Sequence, residues 1–274
     1  SYYRIDEIFN LNSCATVTGV DILFIDIQKR ELEEKIKKVL NRNIGINEIK
    51  NLFNLTDNRT KNIQEKRNKL NYNSDLIKEY IYRPFDEIYV YYDSKLLERA
   101  RTEITKNMQL KNLGLCLVRQ HHNDSYPVFI SDKITDYHLL GGQTYIFTLY
   151  IYNENEKEVN QQTLEGDTIK TKSGKQSNFK EEFVKFIETQ YPNQKISQEE
   201  IFAYIYAVLH SKKYRNKYKE FLKFDFPKIP FVKEYNKFKK LNEIGQRLID
   251  LSLLKTTFNK NVARFDKSGN EMVD

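Results

Sequence analysis

Residues 197–209 read Ser-Gln-Glu-Glu-Ile-Phe-Ala-Tyr-Ile-Tyr-Ala-Val-Leu, and this stretch carries the clearest structural signal in the chain. Ser197 followed by Glu200 is the signature of a capping box, in which each side chain accepts a hydrogen bond from the other residue's backbone amide. The apolar residues that follow recur at helical spacing and are Ile201, Tyr204, Ile205, Val208 and Leu209. The stretch therefore predicts a helix that begins just after Ser197.

The segments on either side of this helix also have helical patterns. Upstream, Asn178 and Glu181 have the spacing of a second capping pair. Downstream, Pro227 and Pro230 interrupt the pattern, because proline cannot continue a helix. The further helices predicted there cover about 214–222 and 233–254.

The first half of the chain has strand patterns instead. Short runs rich in β-branched and aromatic residues end at Asp, Asn or Gly, which is typical of strands. The predicted strands are 22–27, 88–92, 113–119, 127–131 and 144–152. We therefore predict an α+β fold, with a mixed β-sheet N-terminal part (1–152), a basic loop or linker (153–178) and a helical C-terminal part (179–274).

The composition narrows the class of protein. The 274 residues include 45 Lys and Arg against 38 Asp and Glu, a net charge of +7. This excess favours a polyanionic partner, although a Lys-rich solvated surface explains it equally well. Two distant cysteines, Cys14 and Cys116, are expected as buried free thiols in a reducing compartment. With no apolar run long enough for a membrane span, the chain is predicted to be cytoplasmic without membrane contact, and its start at Ser1 suggests a longer parent.

Several kinds of catalytic site are excluded by missing motifs. The five prolines include no Pro-Pro pair, so the Asn/Asp-Pro-Pro-Tyr/Phe motif of adenine methyltransferases is absent. Gly-x-Gly-x-x-Gly and Gly-x-Ser-x-Gly are also absent, which argues against a dinucleotide site and a serine nucleophile. We therefore expect no catalytic site and no cofactor in this segment.

Metal chemistry has only weak support in the sequence. The four histidines lack His-x-x-x-His spacing, so no metal site is predicted. Glu33 and Glu48 each precede a lysine by two residues, as in the Glu-x-Lys motif of restriction nucleases. Those motifs lie on strands, whereas the segments around Glu33 and Glu48 look helical. A stand-alone nuclease that uses Glu33 or Glu48 with a metal remains an alternative at this point.

Several phrases together resemble one protein family. Residues 82–86, Tyr-Arg-Pro-Phe-Asp, resemble a signature in the target-recognition regions of single-chain restriction-modification enzymes. Residues 204–231 closely resemble the C-terminal specificity domain of type ISP enzymes and of related adenine-specific DNA methyltransferases. Supporting matches include Thr18 to Asp21 and the segment around Gly245, so the resemblance runs from about Ile8 to Lys255.

The resemblance implies a target-recognition domain that binds double-stranded DNA. Its partner is then a methyltransferase domain on the same or another chain, which methylates adenine at N6. S-adenosylmethionine, and Mg in the case of an attached nuclease, are implied for that parent enzyme only. The alternative is a protein-protein interaction module whose Phe-Pro and Tyr-rich surface docks a methyltransferase or a phage protein with little DNA contact.

Candidate DNA-binding residues are the cationic and amide side chains that pair with phosphates, guanine or adenine. One group leaves a predicted strand, and a second lies in the basic loop at 168–178; a solvated surface loop explains either group as well. Arg83 can instead form an ion pair with Asp86 or another acid, and Tyr packing with Lys solvation can explain the basic helix at 212–219. The candidates are Arg83, Arg119, Gln120, His121, Asn123, Lys170, Lys172, Lys175, Gln176, Arg215 and Lys217.

Overall fold

The computed structural model describes residues 1–122, 126–153 and 174–256, together with the backbone of 159–162 and 168–171. Its helices are α1 (Ile5–Ile8), α2 (Asp21–Phe24), α3 (Lys29–Leu40), α4 (Ile46–Leu52), α5 (Asp57–Arg67), α6 (Thr102–Met108), α7 (Glu181–Gln190), α8 (Gln198–His210), α9 (Lys212–Tyr218) and α10 (Tyr235–Ser252). Its strands are β1 (Tyr2–Arg4), β2 (Ser13–Cys14), β3 (Ile25–Asp26), β4 (Ile77–Arg83), β5 (Asp86–Tyr91), β6 (Gly114–Val118), β7 (Val128–Ser131), β8 (Ile134–Thr135), β9 (Thr144–Thr148), β10 (Tyr150–Tyr152), β11 (Val159–Gln162), β12 (Thr168–Thr171), β13 (Lys175–Ser177) and β14 (Lys228–Pro230).

Two four-stranded sheets form the centre of the fold. One is antiparallel with the order β2-β9-β6-β7. The other has the order β3-β5-β4-β8 and is mixed, because β4 and β8 run parallel. The prediction of an α+β fold with a mixed sheet is confirmed.

Helix α8 lies in the main hydrophobic core, and its predicted start is confirmed. The Ser197 hydroxyl accepts from the Glu200 amide at 3.1 Å, and the Glu200 carboxylate accepts from the Ser197 amide at 2.8 Å. Every residue from Ile201 to Leu209 is buried, because the first sheet, β14 and α10 surround the helix. This packing fixes the C-terminal helices against the sheet.

The predicted strand over 22–27 is wrong for its first half. Residues Asp21–Phe24 form a helical turn, and only Ile25 and Asp26 pair with a neighbouring strand. Leu23 and Phe24 are buried with α3 and β5 in a second hydrophobic core, separate from the one around α8. A short apolar run fits either a strand or a buried helical turn, and tertiary packing decided between them.

Asn178 does not cap a helix, contrary to the prediction. Helix α7 begins at Glu181 with Lys180 as its N-cap residue. The Asn178 side chain is fully buried and bonds to the backbone of Leu11 and Thr148, which joins the N-terminal segment to the first sheet. The main core likewise combines Ile5 and Phe9 with the C-terminal helices. The domain boundaries at 152 and 178 stay a prediction.

The helices of the described residues are too short or too polar to cross a membrane. Both cysteines are buried and free, as expected.

Candidate nucleic-acid interface

A polar cleft opens at one edge of the antiparallel sheet. Strand β6 ends at Val118, directly opposite Thr144, the first residue of β9. The loop after β6 and the turn before β9 therefore leave the sheet side by side. The cleft between them has a volume of about 650 Å³ and is lined by Val118, Arg119, Gln120, His121, His122, Leu140, Gly141, Gly142, Gln143, Tyr145 and Phe224.

One wall of the cleft is the loop after β6, and Arg119 on this wall is oriented by an acidic residue. Its Nε donates to Asp225 at 3.1 Å, and Asp225 also accepts from Arg4 at 3.2 Å. Partial burial by itself raises the pKa of Asp225, but the Phe226 backbone amide and the two guanidinium groups outweigh it and lower the pKa overall. The Arg119 guanidinium also lies 5.7 Å from the Phe226 ring centre, yet 58% of its side chain stays exposed for a ligand.

Gln120 and His121 lie on the same wall as Arg119. The His121 backbone amide donates to Leu222 at 3.3 Å, which fixes the loop against the C-terminal part. Burial, together with the neighbouring His122, lowers the pKa of His121, which favours its neutral imidazole. The Gln120 side chain is exposed. Three predicted residues thus meet in one cleft, whereas Asn123 lies outside the described residues.

The opposite wall contains Gln143, which the sequence analysis did not single out. Its Nε2 donates to Cys14 at 2.7 Å and to the Tyr145 hydroxyl at 3.0 Å. Gly141 has a φ of +76°, a conformation that favours glycine, and lets the chain turn sharply before Gln143. In the sequence, the one signal for this wall is Gly141-Gly142-Gln143 directly before the predicted strand 144–152, which indicates a turn followed by a polar side chain.

Arg83 forms an ion pair, as one of its two interpretations predicted. Its Nη1 donates to Asp136 at 2.7 Å and to the Tyr82 carbonyl at 2.6 Å. The acid is Asp136, whose side chain is 5% exposed, rather than Asp86. This geometry favours a structural role, and DNA contact by Arg83 stays a prediction.

The candidates in the basic loop are only partly described. Lys175 and Gln176 are exposed on β13, which pairs with β10. The Lys175 ammonium lies 3.7 Å from the Tyr150 ring centre, a cation-π contact that holds it close to the sheet. For Lys170 only the backbone of β12 is described, and Lys172 lies outside the described residues. The structure does not bring Lys175 and Gln176 into the cleft.

Arg215 and Lys217 face different environments on α9. The Arg215 Nε donates to the Leu209 carbonyl at 2.6 Å, and burial lowers the pKa of its guanidinium. This contact satisfies a carbonyl at the end of α8, which favours a structural role. Lys217 is exposed, with its ammonium 5.3 Å from the Tyr218 ring centre. Their contact with DNA stays a prediction.

Glu33 and Glu48, the residues of the nuclease alternative, do not lie on strands as the Glu-x-Lys motif of restriction nucleases does. Glu33 and Glu48 lie on helices α3 and α4, and Glu33 pairs with Lys37 at 2.6 Å. Within the described ranges, His, Cys, Asp and Glu side chains form no group of three that could hold a metal ion. The absence of a cofactor in this segment stays a prediction.

The Phe-Pro-Lys-Ile-Pro-Phe segment at 226–231 belongs to the core. Phe226, Ile229 and Phe231 are each at most 5% exposed. Tyr214 is also buried, and its hydroxyl donates to the Lys228 carbonyl at 2.9 Å. These aromatic side chains therefore stabilise the fold and present little surface for a docking protein.

Comparisons with known proteins give one family match and several similar solved structures. The family model for the type ISP C-terminal specificity domain matches residues 7–274. A cryoEM structure of a DrdV-DNA complex is 25% identical, with a TM-score of 0.68 over 89% of this chain and 23% of that chain. A nuclease-deletion mutant of the type ISP restriction-modification enzyme LlaGI, in complex with a DNA substrate mimic, is 23% identical, with a TM-score of 0.65 over 91% of this chain and 22% of that chain.

A third solved structure has the same fold. The ATP-dependent type ISP restriction-modification enzyme LlaBIII bound to DNA is 23% identical, with a TM-score of 0.68 over 90% of this chain and 16% of that chain. The chain therefore spans less than a quarter of the length of these three proteins. The search of curated proteins found no match.

Proposed function

Because the chain belongs to the type ISP C-terminal specificity domain family, we propose that it recognises a specific sequence in double-stranded DNA. It directs a methyltransferase domain, on the same or another chain, to an adenine at that site. S-adenosylmethionine, and Mg for any nuclease, belong to that parent enzyme, and the setting is the bacterial cytoplasm. Supporting this proposal, the DrdV and LlaBIII structures were solved with DNA, and the LlaGI structure with a DNA substrate mimic.

The cleft at the sheet edge is the observation that carries the proposal for this chain. Arg119 supplies a guanidinium, which pairs with guanine or phosphate, and Gln120 supplies an amide, which pairs with adenine. The ion pair with Asp225 holds Arg119 in one orientation before DNA arrives, so less conformational entropy is lost on binding. A single reader of this kind favours an asymmetric site, because palindromic sites reflect two-fold dimers.

The test is selection of a random duplex library on the purified chain at moderate salt, followed by sequencing of the retained DNA. We expect enrichment of one short asymmetric motif and an affinity that falls steeply with salt. Salt-sensitive retention without a motif contradicts autonomous recognition and shows that the methyltransferase domain is needed. No retention favours the interaction module instead.

Two substitutions test whether DNA recognition takes place in the cleft. Gln120→Ala is expected to relax the preference at one motif position by about 1–3 kcal/mol, the value of a bidentate base contact. Arg119→Ala is expected to relax the base preference at another motif position. If Arg119 contacts a phosphate instead, the slope of log affinity against log salt concentration should fall in magnitude by about 1. Gln194→Ala and Arg247→Ala are matched controls at exposed positions outside the cleft. Equal behaviour of cleft and control variants would place recognition elsewhere.

A further inference from the structure

Helix α5 presents a polar face that the proposed cleft does not use. Thr60, Ile63 and Arg67 are buried, and their spacing of three and four residues defines the side that packs on the protein. The other side projects into solvent. The exposed side chains of the helix are Asp57, Asn58, Arg59, Lys61, Asn62, Gln64 and Glu65, and Asp57 forms an ion pair with Lys50.

The helix is held rigidly on its buried side. Arg67 donates to the Val39 carbonyl at 3.3 Å and to the Ile44 carbonyl at 2.6 Å. The Lys66 ammonium donates to the Leu96 carbonyl at 2.9 Å. These anchors fix the direction in which the exposed face points.

The exposed face of α5 differs from that of α3 in how its polar side chains are paired. On α3 the surface charges neutralise each other in i,i+4 ion pairs, Arg30 with Glu34 and Lys37 with Glu33. On α5, by contrast, Asn58, Arg59 and Asn62 form no hydrogen bond or ion pair through their side chains with any described residue. Amide and guanidinium groups are the ones that pair bidentately with adenine and guanine.

These three side chains also line one groove. The groove has a volume of about 230 Å³, and its opposite wall includes Thr18, Gly19 and Glu98. Glu98 lies 3.7 Å from the Arg99 guanidinium, which reduces the effect of its charge on an approaching phosphate. The three unpaired groups are thus gathered in one place.

The groove lies close to the cleft along the chain. Cys14 contacts Gln143 of the cleft wall, and Thr18 lines the groove. Four residues of extended chain span at most about 14 Å. The connecting residues Thr16 and Val17 are tied to Asp136 and Arg99 by backbone pairing. Both surfaces can therefore contact one DNA site within a single helical turn of roughly 34 Å.

We propose that helix α5 is a second base-reading element, with Asn58, Arg59 and Asn62 directed at base edges in the major groove of the same DNA site. The inference rests on the proposed function and extends it. The major groove accepts an α-helix, and a helix of 11 residues is about 16 Å long. Helix α5 and the cleft then read different base pairs of one motif.

The experiment compares the double variant Arg59→Ala/Asn62→Ala with wild type in the random-duplex selection. Asn236→Ala/Arg247→Ala is the matched control, because both residues are exposed on helix α10 and their side chains make no hydrogen bond or ion pair with any residue the structure describes. Alanine favours helix, so neither variant should lose helical structure, which circular dichroism checks. We expect the α5 variant to lose the preference at some motif positions by roughly 5- to 150-fold each, while other positions stay unchanged.

Other outcomes separate this inference from the proposed function. An unchanged motif in the α5 variant overturns the inference and leaves the proposed function intact. Uniform weakening with the same motif assigns Arg59 to a phosphate and also overturns the reading role. Failure of the wild-type chain to enrich any motif contradicts autonomous recognition, and the inference falls with it.

Discussion

A Gly245→Ala substitution tests the packing that supports the C-terminal part. Gly245 lies on α10 against the backbone of Ala203 on α8, and an added Cβ would stand 1.8 Å from the Ala203 carbonyl oxygen. Side-chain Cβ atoms do not approach other atoms closer than 3.0 Å, so the two helices must separate by about 1.2 Å.

The expected effect is a clear loss of stability. Overpacking of a core costs roughly 1–3 kcal/mol and occasionally more, and a backbone obstacle lies at the costly end because it cannot rotate away. Alanine returns about 1 kcal/mol through its helix propensity. Separation of the helices also weakens the hydrogen bonds between Tyr206 and Ser252 and between Asn242 and Glu200. We expect the free energy of unfolding to fall by about 3 kcal/mol.

Urea denaturation of the variant measures this loss directly. Gly45→Ala is the control, because no atom lies within 4 Å of an added Cβ at Gly45 and its φ is −63°. Adding Ala203→Gly should not restore stability, since the obstacle is the carbonyl oxygen and not the Ala203 methyl group. An unchanged denaturation midpoint in Gly245→Ala would refute the reasoning.

Two further substitutions test single polar groups. Asn178→Ala leaves the backbone of Leu11 and the Thr148 carbonyl without their buried partner, so urea denaturation should show a loss of about 3 kcal/mol; a midpoint like that of wild type would contradict this. The pKa of Asp225 is lowered in the folded chain, so the stability it contributes is complete above its unfolded pKa of about 4 and is lost as the pH falls through the lower folded value. Asp225→Asn should therefore reduce the difference in urea midpoint between about pH 6 and pH 3. An unchanged difference would show that the contacts of Asp225 with Phe226, Arg4 and Arg119 add no pH-dependent stability.

The sequence predicted correctly those elements whose structure depends only on residues close by in the chain. The capping box at Ser197 and Glu200 needs only one turn of helix to form, and it forms as predicted. The pair Asn178 and Glu181 has the same spacing, yet Asn178 bonds to the backbone of Leu11 and of Thr148 in β9, both far away in the chain. Spacing cannot distinguish a cap from a buried bridge between segments, because the distant partners are not visible in it.

The candidate site shows the same limit. Arg119, Gln120 and His121 were predicted because cationic and amide side chains follow a strand. Gln143 was missed because only the strand register, with Val118 opposite Thr144, places it across the cleft from them. Register depends on the whole sheet and its packing, so a single sequence does not reveal it.

Arg83 connects the Tyr-Arg-Pro-Phe-Asp signature at residues 82–86 with the cleft. Asp136 accepts hydrogen bonds from Arg83 at 2.7 Å, from the Tyr80 hydroxyl at 2.8 Å and from the His138 amide at 2.8 Å. The turn that contains His138 continues directly into the Gly141 wall of the cleft. A buried carboxylate without its cation is costly, so loss of Arg83 disturbs that wall. Weaker DNA binding after substitution of Arg83 therefore does not by itself show that Arg83 contacts a phosphate. Loss of a phosphate contact changes the salt dependence of binding. Displacement of the cleft wall changes the sequence preference instead.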